Sequence, residues 1–325
     1  MTTTKQKKQP QEIAGAPDSP FREILERLKI IAETDDSVLF IGETGVGKEV
    51  LFKELLEYSK QEDNYKAINC SGFPKDLIGS ELFGHVEGAF TDAKKDRAGL
   101  IMASNNGILF LDELGDMNQN DQANLLRIIE DKKVRKIGSD ESGEEVKVRF
   151  IAATNKEEKI RKDLKARFKH WITIKPLRDR PFDIPYLLQH FLDKIDPSFK
   201  GIEVEALCCL LFFEWKENVR QLKNILDAAK IERQFWKSKN ENDPSNEILC
   251  GFHLPDEVTA KYRATFKKFK EYDNYVEVTK KKFIKVFNSN IAASYWLDWA
   301  DGHPVWVSRL SVSFTYPPRT IYIVC

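Results

Sequence analysis

Short apolar runs alternate with longer stretches of helical periodicity along the first half of the chain. Five runs are typical of strands buried on both faces, because each is short, continuous and bounded by polar or glycine-rich segments. They are Val38–Ile41, Ala67–Asn69, Ile108–Leu111, Val148–Ala152 and Trp171–Ile174. Such alternation predicts an α/β fold, with a mostly parallel sheet flanked by helices and a ligand at the carboxyl ends of the strands.

The pattern changes on both sides of this region. Apolar residues at helical spacing follow Ser19 and Pro20, which predicts a helix capped by Ser19. From Arg178 to about Arg233 the periodicity is helical only, as expected of a separate helical subdomain. The predicted segments are a disordered tail over 1–18, an α/β subdomain over 19–177, a helical lid over 178–236, a linker over 237–257 and a basic C-terminal region over 258–325.

Composition narrows the function classes. The 325 residues include 51 basic and 51 acidic ones, so no overall charge favours nucleic acid or a membrane, and any such binding must be local. The five cysteines show neither a CxxC pair nor the spacing of a disulfide framework, which favours reduced thiols. The first twelve residues are polar, and the longest apolar run, Ala206–Phe213, is too short to cross a bilayer. We therefore expect a cytoplasmic protein with no membrane partner.

A glycine-rich turn, GETGVGKE, joins the first predicted strand to the helix-like segment Val50–Tyr58. Its glycines let backbone N–H groups face inward, and the helix start adds a positive dipole, so the turn predicts a phosphate site. Lys48 is placed to reach the outer phosphates of a nucleotide. We expect a nucleotide to bind the whole turn: Gly42, Glu43, Thr44, Gly45, Val46, Gly47, Lys48 and Glu49.

Glu49 stands where most such turns place a Ser or Thr that ligates Mg²⁺. This argues against a small GTPase and makes the metal more dependent on a second acidic site. Asp112 and Glu113, which end the third predicted strand, supply one. Asp112 is expected to hold Mg²⁺, with Glu49 as a further candidate ligand, and Glu113 to orient and polarise the attacking water. The alternative is a strand that runs into an acidic first turn of a helix.

Five segments, in this order, resemble the AAA+ ATPase domain of sigma-54-dependent transcription activators. The similarity runs from about Ser19 to about Ile231, roughly two thirds of the chain. The segments are GETGVGKE, INCSGFPKDLIGSELFGHVEGAFTDA, NNGILFLDELGDM, FIAATN and WKENVRQLKN. The resemblance implies a P-loop AAA+ fold with a helical lid, ATP hydrolysis with Mg²⁺, and a hexameric ring. The partner that it implies is the sigma-54 RNA polymerase holoenzyme.

The resemblance also implies roles that the pattern alone leaves open. Asn155 corresponds to a sensor of the γ-phosphate or the lytic water. Asn69 corresponds to a switch residue that pairs with the catalytic glutamate, here Glu113, although its position alone fits a strand-end cap equally well. Arg161 and Arg167 match arginine fingers that reach the nucleotide of a neighbouring subunit. Without the resemblance, two arginines in a basic stretch are more typical of a solvated helix face.

Two exposed loops and one lid residue complete the implied machinery. The loop GAFTDA resembles the family's GAFTGA loop, which contacts sigma-54, with Asp92 in place of a glycine. A hairpin near Lys136–Glu145 resembles the family's second pore-facing loop and is expected to move with the first. Arg220 is expected to contact the nucleotide from a lid helix, where Lys216-Glu217 replaces the family's Pro-Gly. The implied sigma-54 contacts are Gly88, Ala89, Phe90, Thr91, Asp92 and Ala93.

The two ends of the chain differ from the family pattern. About eighteen residues precede the ATPase region. We therefore expect that the activity is controlled by a separate protein or by expression level, or that it is not controlled. Between Val258 and Asn290, nine basic residues accompany three acidic ones, a local basic patch that is compatible with contacts to DNA phosphates. There Val278–Phe287 is predicted helical, and Asn290–Ser294 resembles the start of the second helix of a Fis-type helix-turn-helix. Tyr295–Cys325 has no Lys and no Glu, which raises the hypothesis of a different reading frame or a divergent ending. The alternative to specific DNA recognition is a basic linker with an apolar tail.

Two function classes therefore remain open. The first is an ATP-driven activator that remodels the sigma-54 holoenzyme to promote open complexes. The alternative is an AAA+ ring that binds nucleotide and regulates or remodels a protein without activating sigma-54, because of Asp92 and the incomplete DNA-binding end.

Overall fold

The computed structural model describes two compact units. The residues that it describes are 15–16, 19–59, 64–74, 77–89, 95–139, 142–196, 198–260, 299–300, 303–304, 309–315 and 318–324. The α/β unit comprises residues 23–176, and the lid unit comprises residues 1–22 with 177–325. Among the described residues, no helix has both the length and the apolar composition needed to cross a membrane.

A five-stranded parallel sheet forms the centre of the α/β unit. Its strands in chain order are β1 (Val38–Ile41), β2 (Tyr65–Asn69), β3 (Gly107–Asp112), β4 (Val148–Thr154) and β5 (His170–Thr173). In space the order is β2-β3-β4-β1-β5, with every neighbouring pair parallel. The α/β fold class and all five strands are confirmed, with strand ends shifted by at most two residues. The strand β1 lies between β4 and β5, so the turn that follows it lies beside the end of β4, with the end of β3 one strand further along the sheet.

Helices cover the sheet and build the lid. In chain order they are α1 (Pro20–Ala32), α2 (Lys48–Ser59), α3 (Ile78–Phe83), α4 (Leu100–Ala103), α5 (Gln119–Asp131), α6 (Lys162–Lys165), α7 (Asp183–Ile195), α8 (Val204–Phe212) and α9 (Asn218–Lys239). The helix α1 begins where the sequence predicts, because the Ser19 hydroxyl accepts a hydrogen bond from the Phe21 amide at 3.1 Å. The chain is already held before this cap, since the Ala16 amide donates to Asp183 Oδ1 at 2.9 Å. The predicted disordered tail therefore has a packed end; its other residues, 1–14 and 17–18, lie outside the described part of the chain.

The lid unit has its own apolar core around α7, α8 and α9. Trp215 is fully buried there, and its indole N–H donates to the Leu210 carbonyl at 3.0 Å. The prediction that residues from Arg178 to about Arg233 form only helices is wrong at Gly201–Glu203. These residues form a short strand that pairs in parallel with Ile248–Leu249. Three residues cannot show a periodicity that differs from that of the flanking helices, which explains the error.

The segment predicted as a linker, 237–257, is packed into the lid. After α9 ends, the turn Pro244–Glu247 is capped by Asp243 Oδ1, which accepts from the Ser245 amide at 2.8 Å. Leu249 and Leu254 are then buried in the lid core. The polar residues of this segment form the capped turn Pro244–Glu247. The apolar residues that follow the turn, Leu249 and Leu254, pack into the lid core.

Described residues beyond 260 are strands. They are Trp299–Ala300, His303–Pro304, Arg309–Thr315 and Pro318–Val324, of which the last two pair antiparallel. Pro318–Val324 also pairs in parallel with Gly201–Glu203. The predicted helix Val278–Phe287 and the Fis-like segment Asn290–Ser294 lie outside the described residues.

Candidate active site

The turn between β1 and α2 has the backbone that its glycines predict. Gly45 and Gly47 have φ angles of 77° and 114°, a region that residues with a side chain rarely adopt. A Cβ on Gly42 would lie 3.0 Å from the Ile174 carbonyl oxygen, so this position also favours glycine. The Val46 amide donates to the Glu43 carbonyl at 3.4 Å and closes the turn. The first amides of α2 follow directly, and their N–H groups have no partner within the helix.

Lys48 is only 7% exposed and lies across this turn. Its Nζ donates to the Gly42 carbonyl at 2.9 Å and to the Glu43 carbonyl at 3.3 Å. Glu113 Oε1 is 3.6 Å from the same nitrogen. Two carbonyl oxygens and one carboxylate oxygen therefore surround the Lys48 ammonium beside the turn.

Glu113 follows the end of β3 in a strained conformation. Its φ of 52° and ψ of 47° lie in the left-handed region, which is costly for a residue with a side chain and is concentrated at functional sites. Its Oε2 accepts a hydrogen bond from the Asn155 amide at 3.2 Å. The carboxylate is therefore held between Lys48 and the end of β4.

Asp112 fits a divalent cation. Burial, and then the charge of Glu113, raise the pKa of the Asp112 carboxyl, so a cation that offsets these charges stabilises its ionised form. Carboxylate oxygens are the ligands that Mg²⁺ prefers. The second candidate, Glu49, is 68% exposed and pairs with Lys53 at 2.7 Å. Of the two predicted ligands, Asp112 has the surroundings of a metal ligand.

Asn69 bonds to the aspartate and not to the glutamate. Its Nδ2 donates to Asp112 Oδ2 at 3.3 Å, so the predicted pairing with Glu113 is wrong in this structure. The reason is the register, because Asn69 and Asp112 are direct partners across β2 and β3, whereas Glu113 turns away in its left-handed conformation. The strand-end cap that was left open is also formed, since Asn69 Oδ1 accepts from the Ser71 amide at 2.9 Å.

Asn155 links the end of β4 to the phosphate turn. Its Nδ2 donates to the Thr44 hydroxyl at 2.9 Å, while its amide holds Glu113. The predicted sensor, turn and carboxylate thus lie at one edge of the sheet. Asn155 therefore connects the turn at Thr44 directly to the carboxylate of Glu113.

Sequence reasoning missed an ion pair that supports this edge. Lys156 Nζ lies 2.5 Å from Asp116 Oδ1, in the turn Leu114–Asp116 that follows Glu113. This hydrogen bond raises the pKa of Lys156. Gly115 lets the two segments touch, since a Cβ there would lie 2.6 Å from the Lys156 carbonyl oxygen. In the sequence, Asp116 lies in the segment NNGILFLDELGDM, and Lys156 follows the segment FIAATN, forty residues later. No local pattern links the two residues.

Both predicted arginine fingers pair with carboxylates of their own chain. Arg161 donates two hydrogen bonds to Asp163, from Nη2 to Oδ2 at 2.6 Å and from Nε to Oδ1 at 3.0 Å. These hydrogen bonds raise the pKa of Arg161. Arg167 pairs with Glu130 and is about half exposed. A role towards another subunit requires that a phosphate replace these partners.

Arg220 is exposed on the first turn of α9. It belongs to the lid unit and the phosphate turn belongs to the α/β unit, so its contact with nucleotide stays a prediction. The entry to α9 uses two left-handed residues, Trp215 and Asn218, where the family has Pro-Gly between them. Asn218 Oδ1 accepts from the Leu177 amide at 2.7 Å and fixes this entry.

The loop with the implied sigma-54 contacts is described only at its base. The strand Gly84–His85 pairs antiparallel with Arg97–Ala98. Gly88 and Ala89, which come after this strand in the chain, are the only two of the implied contact residues that the structure describes. Phe90, Thr91, Asp92 and Ala93 lie outside the described residues. The second hairpin, Lys133–Val134 with Glu144–Glu145, meets this base through Ile137, which bridges His85.

Comparison with known proteins identifies the family. Residues 15–173 match the model of the sigma-54 interaction domain, and residues 178–235 match that of the AAA+ ATPase lid domain. The DNA-binding transcriptional activator HyfR of Escherichia coli K12 is 38% identical over 224 residues, which are 65% of this chain and 33% of HyfR. An uncharacterised protein from the HyuA 5' region of Pseudomonas sp. strain NS671 is 40% identical over 214 residues, 62% of this chain and 72% of that protein.

A solved structure supports the same fold. NtrX from Brucella abortus in complex with ATP aligns with a TM-score of 0.67 and 22% identity, covering 86% of this chain and 65% of NtrX. The chain spans only a third of the length of HyfR. The two family models, together with the relative that the chain covers to 72%, show that the chain belongs to the sigma-54-dependent transcription activators and contains their AAA+ ATPase domain.

Proposed function

We propose that this chain hydrolyses ATP in a ring of identical copies and uses the reaction to remodel the sigma-54 RNA polymerase holoenzyme, which promotes open-complex formation. The observation that carries the proposal is the meeting of Lys48, Glu113 and Asn155 at one edge of the sheet. Family membership supplies the polymerase partner.

The residues of the site support an order of events. Lys48 exchanges its carbonyl partners and Glu113 for phosphate oxygens when ATP binds. Glu113, released from Lys48, accepts the proton of the attacking water. Asn155 holds Glu113 through its amide and the phosphate turn through its side chain, so it keeps base and phosphate in register.

Mg²⁺ is the cofactor that this site fits. Asp112 would hold it, because the raised pKa of this carboxyl marks a place where a cation is favourable; Glu49 is the second candidate. When bound, the cation offsets charge on the phosphate oxygens. In this proposal Asp112 is the metal ligand, and Glu113 alone acts as the base that accepts a proton.

A ring is part of the proposal because arginine fingers act on the nucleotide of a neighbouring subunit. Arg161 and Arg167 would exchange Asp163 and Glu130 for the phosphates of the neighbouring protomer. A head-to-tail contact repeated around a closed ring, a hexamer in this family, gives every subunit the same site. Arg220 would contact the nucleotide from the lid.

The output loop is Gly88 to Ala93, which would contact sigma-54. DNA binding through the basic region after Val258, and a cytoplasmic location, complete the proposal.

Transcription in vitro from a sigma-54 promoter tests the proposal, with wild type and Asp92→Gly compared alongside ATP hydrolysis. We expect ATP-dependent open complexes from the wild type. If both proteins hydrolyse ATP and neither supports open complexes, the activator proposal fails and the regulatory or remodelling alternative takes its place. If the wild type neither binds nor hydrolyses ATP, the ATPase proposal fails as well.

Binding to sigma-54 tests the loop itself. We expect the protein to retain sigma-54 when ADP and aluminium fluoride mimic the transferring phosphoryl group, and Phe90→Ala to lose this retention with hydrolysis intact. Retention that is equal in wild type and Phe90→Ala would contradict the contact.

A further inference from the structure

A cavity of about 470 Å³ lies at the amino ends of the strands in the α/β unit. Its wall includes Ser37, Asn106 and Lys147, which directly precede β1, β3 and β4. The nucleotide turn follows the opposite end of β1, and a strand of four residues spans about 13 Å, so the cavity and the turn are separate places. The volume is within the range of sites for small molecules.

Positive charge predominates in the wall of this cavity. Two carboxylates, Asp35 and Asp36, line it together with five basic side chains. The basic residues are Lys132, Lys147, Arg149, Arg167 and Lys169. Both carboxylates already have lysine partners, since Asp35 Oδ2 lies 3.6 Å from Lys147 Nζ and Asp36 Oδ1 lies 2.5 Å from Lys169 Nζ. The wall therefore carries more positive charge than its own carboxylates neutralise.

Arg149 is buried in this wall without a carboxylate beside it. The residue is 7% exposed, and its Nε and Nη2 donate to the carbonyls of Asp36 and Ile31 at 3.0 and 2.9 Å. Among the described residues, no carboxylate oxygen lies within 4.0 Å of its guanidinium. Burial lowers the pKa of Arg149, and the charges of Asp35 and Asp36 offset only part of this effect. Because a buried cation is costly without a compensating anion, this group indicates an anionic ligand.

Two lysines offer further charges to the same ligand. Lys132 follows α5 in a left-handed conformation, with a φ of 54°, and is exposed. In the part of the chain that the structure describes, it too has no carboxylate within 4.0 Å. The pair of Lys147 with Asp35 is weak, because both side chains are more than 70% exposed. One guanidinium and two ammonium groups in one cavity suit a ligand with several phosphate oxygens.

We propose that this cavity binds a small ligand that carries a chain of two or more phosphate groups, with Arg149, Lys132 and Lys147 as the residues that hold it. The site is separate from the nucleotide turn and is an addition to the proposed ATPase function. Arg167 also lines the cavity, but the test leaves it unchanged because a finger role is proposed for it.

Calorimetric titration of the full chain with inorganic tripolyphosphate tests the site, with EDTA present so that metal ions do not bind the probe. We expect the wild type to bind two equivalents, one at the nucleotide turn and one in the cavity. Lys48→Ala should retain the cavity site alone. Adding Arg149→Gln to it should weaken this site about ten- to a hundred-fold, the loss expected when hydrogen bonds from a charged group are removed.

A second variant leaves the bonds of Arg149 to the backbone intact. Lys132→Gln combined with Lys147→Gln, again with Lys48→Ala, changes exposed side chains and should weaken the cavity site about three- to ten-fold. The matched control is Lys29→Gln combined with Lys66→Gln. It removes the same charge from exposed lysines outside the cavity, so the affinity should equal that of Lys48→Ala alone.

A Lys48→Ala protein that binds no tripolyphosphate at up to about 1 mM overturns the inference. So does an affinity that the Lys132 and Lys147 substitutions leave unchanged, or that the control substitutions lower equally. If the wild type still binds and hydrolyses ATP in either case, the ATPase proposal stands.

Competition by ATP in the Lys48→Ala protein distinguishes two sources of such a ligand. ATP that displaces tripolyphosphate at a lower concentration than tripolyphosphate itself identifies a ligand with an organic body. The apolar part of the wall, Ile128, Val146 and Phe150, would contact that body. Displacement at an equal concentration identifies the phosphate chain alone as the group that is bound.

Discussion

Replacing Glu113 with glutamine separates proton transfer from nucleotide binding. Glutamine has the length of glutamate and keeps an oxygen that can accept from the Asn155 amide, now 3.2 Å from Glu113 Oε2. It removes the charge that lies 3.6 Å from Lys48 Nζ. The left-handed backbone is kept, since it belongs to the position and both residues carry the same Cβ. The substitution therefore changes the chemistry of one group within an otherwise intact edge of the sheet.

The size of the effect follows from the two roles proposed for this carboxylate. A positioned general base contributes about 10²- to 10⁴-fold to a rate, which corresponds to roughly 3–5 kcal/mol of activation free energy. Loss of the attraction to Lys48 acts in the opposite direction on binding, because ATP no longer displaces Glu113. For this largely shielded pair we expect roughly 1 kcal/mol, or about five-fold tighter binding of ATP.

Single-turnover hydrolysis and the binding of a fluorescent ATP analogue measure the two effects separately. Glu23→Gln is the matched control, because Glu23 is an exposed carboxylate on α1 that pairs with Arg27 at 2.6 Å. It should leave both quantities at the wild-type value. If Glu113→Gln hydrolyses saturating ATP within about three-fold of the wild type, the assignment of Glu113 as the base is refuted.

Three further predictions concern the lid and one finger. Asp183→Ala leaves the buried Arg180 without its carboxylate partner and should lower the free energy of unfolding of the lid by about 3–5 kcal/mol in urea; a loss under about 1 kcal/mol contradicts this. Burial lowers the pKa of His253 from 6.5 to about 4, so the folded lid keeps the neutral ring while the unfolded chain takes up a proton. Stability should therefore fall as pH drops from 6.5 to about 4, by up to about 3 kcal/mol, in thermal melts across this window; a His253→Gln protein with the same slope refutes it. Glu130→Gln releases Arg167, a half-exposed pair, and should raise ATP hydrolysis at limiting protein concentration by about two- to five-fold; an unchanged rate argues against a finger role.

The sequence predicts best what depends on neighbouring residues. The strands are apolar runs of the expected length, and the turn from Gly42 to Lys48 is specified by its own glycines, so both appear where expected. The partner of Asn69 depends instead on the register of β2 against β3 and on the left-handed turn at Glu113. Neither property is visible in the spacing of residues, and the prediction of a bond to Glu113 failed for that reason.

The supposed linker shows the same limit in the lid. Its polar residues look like a solvated connection, yet Arg233, buried on α9, donates through Nε to the Asn246 carbonyl at 2.6 Å. Arg233 is itself held by Asp196, at 2.7 Å. A charged residue within a helical pattern gives no sign that it will be buried and will organise a segment thirteen residues later.

The cations assigned to the phosphates share one property that bears on control. Lys48 lies beside Glu113, Arg161 is paired with Asp163, and Arg167 is paired with Glu130. In the proposed function, each exchanges a carboxylate of its own chain for phosphate oxygens before it acts. ATP itself can drive the first exchange, but the other two require a neighbouring protomer to present a nucleotide. Hydrolysis should therefore depend on assembly more steeply than nucleotide binding does, since a lone protomer can complete only the first exchange.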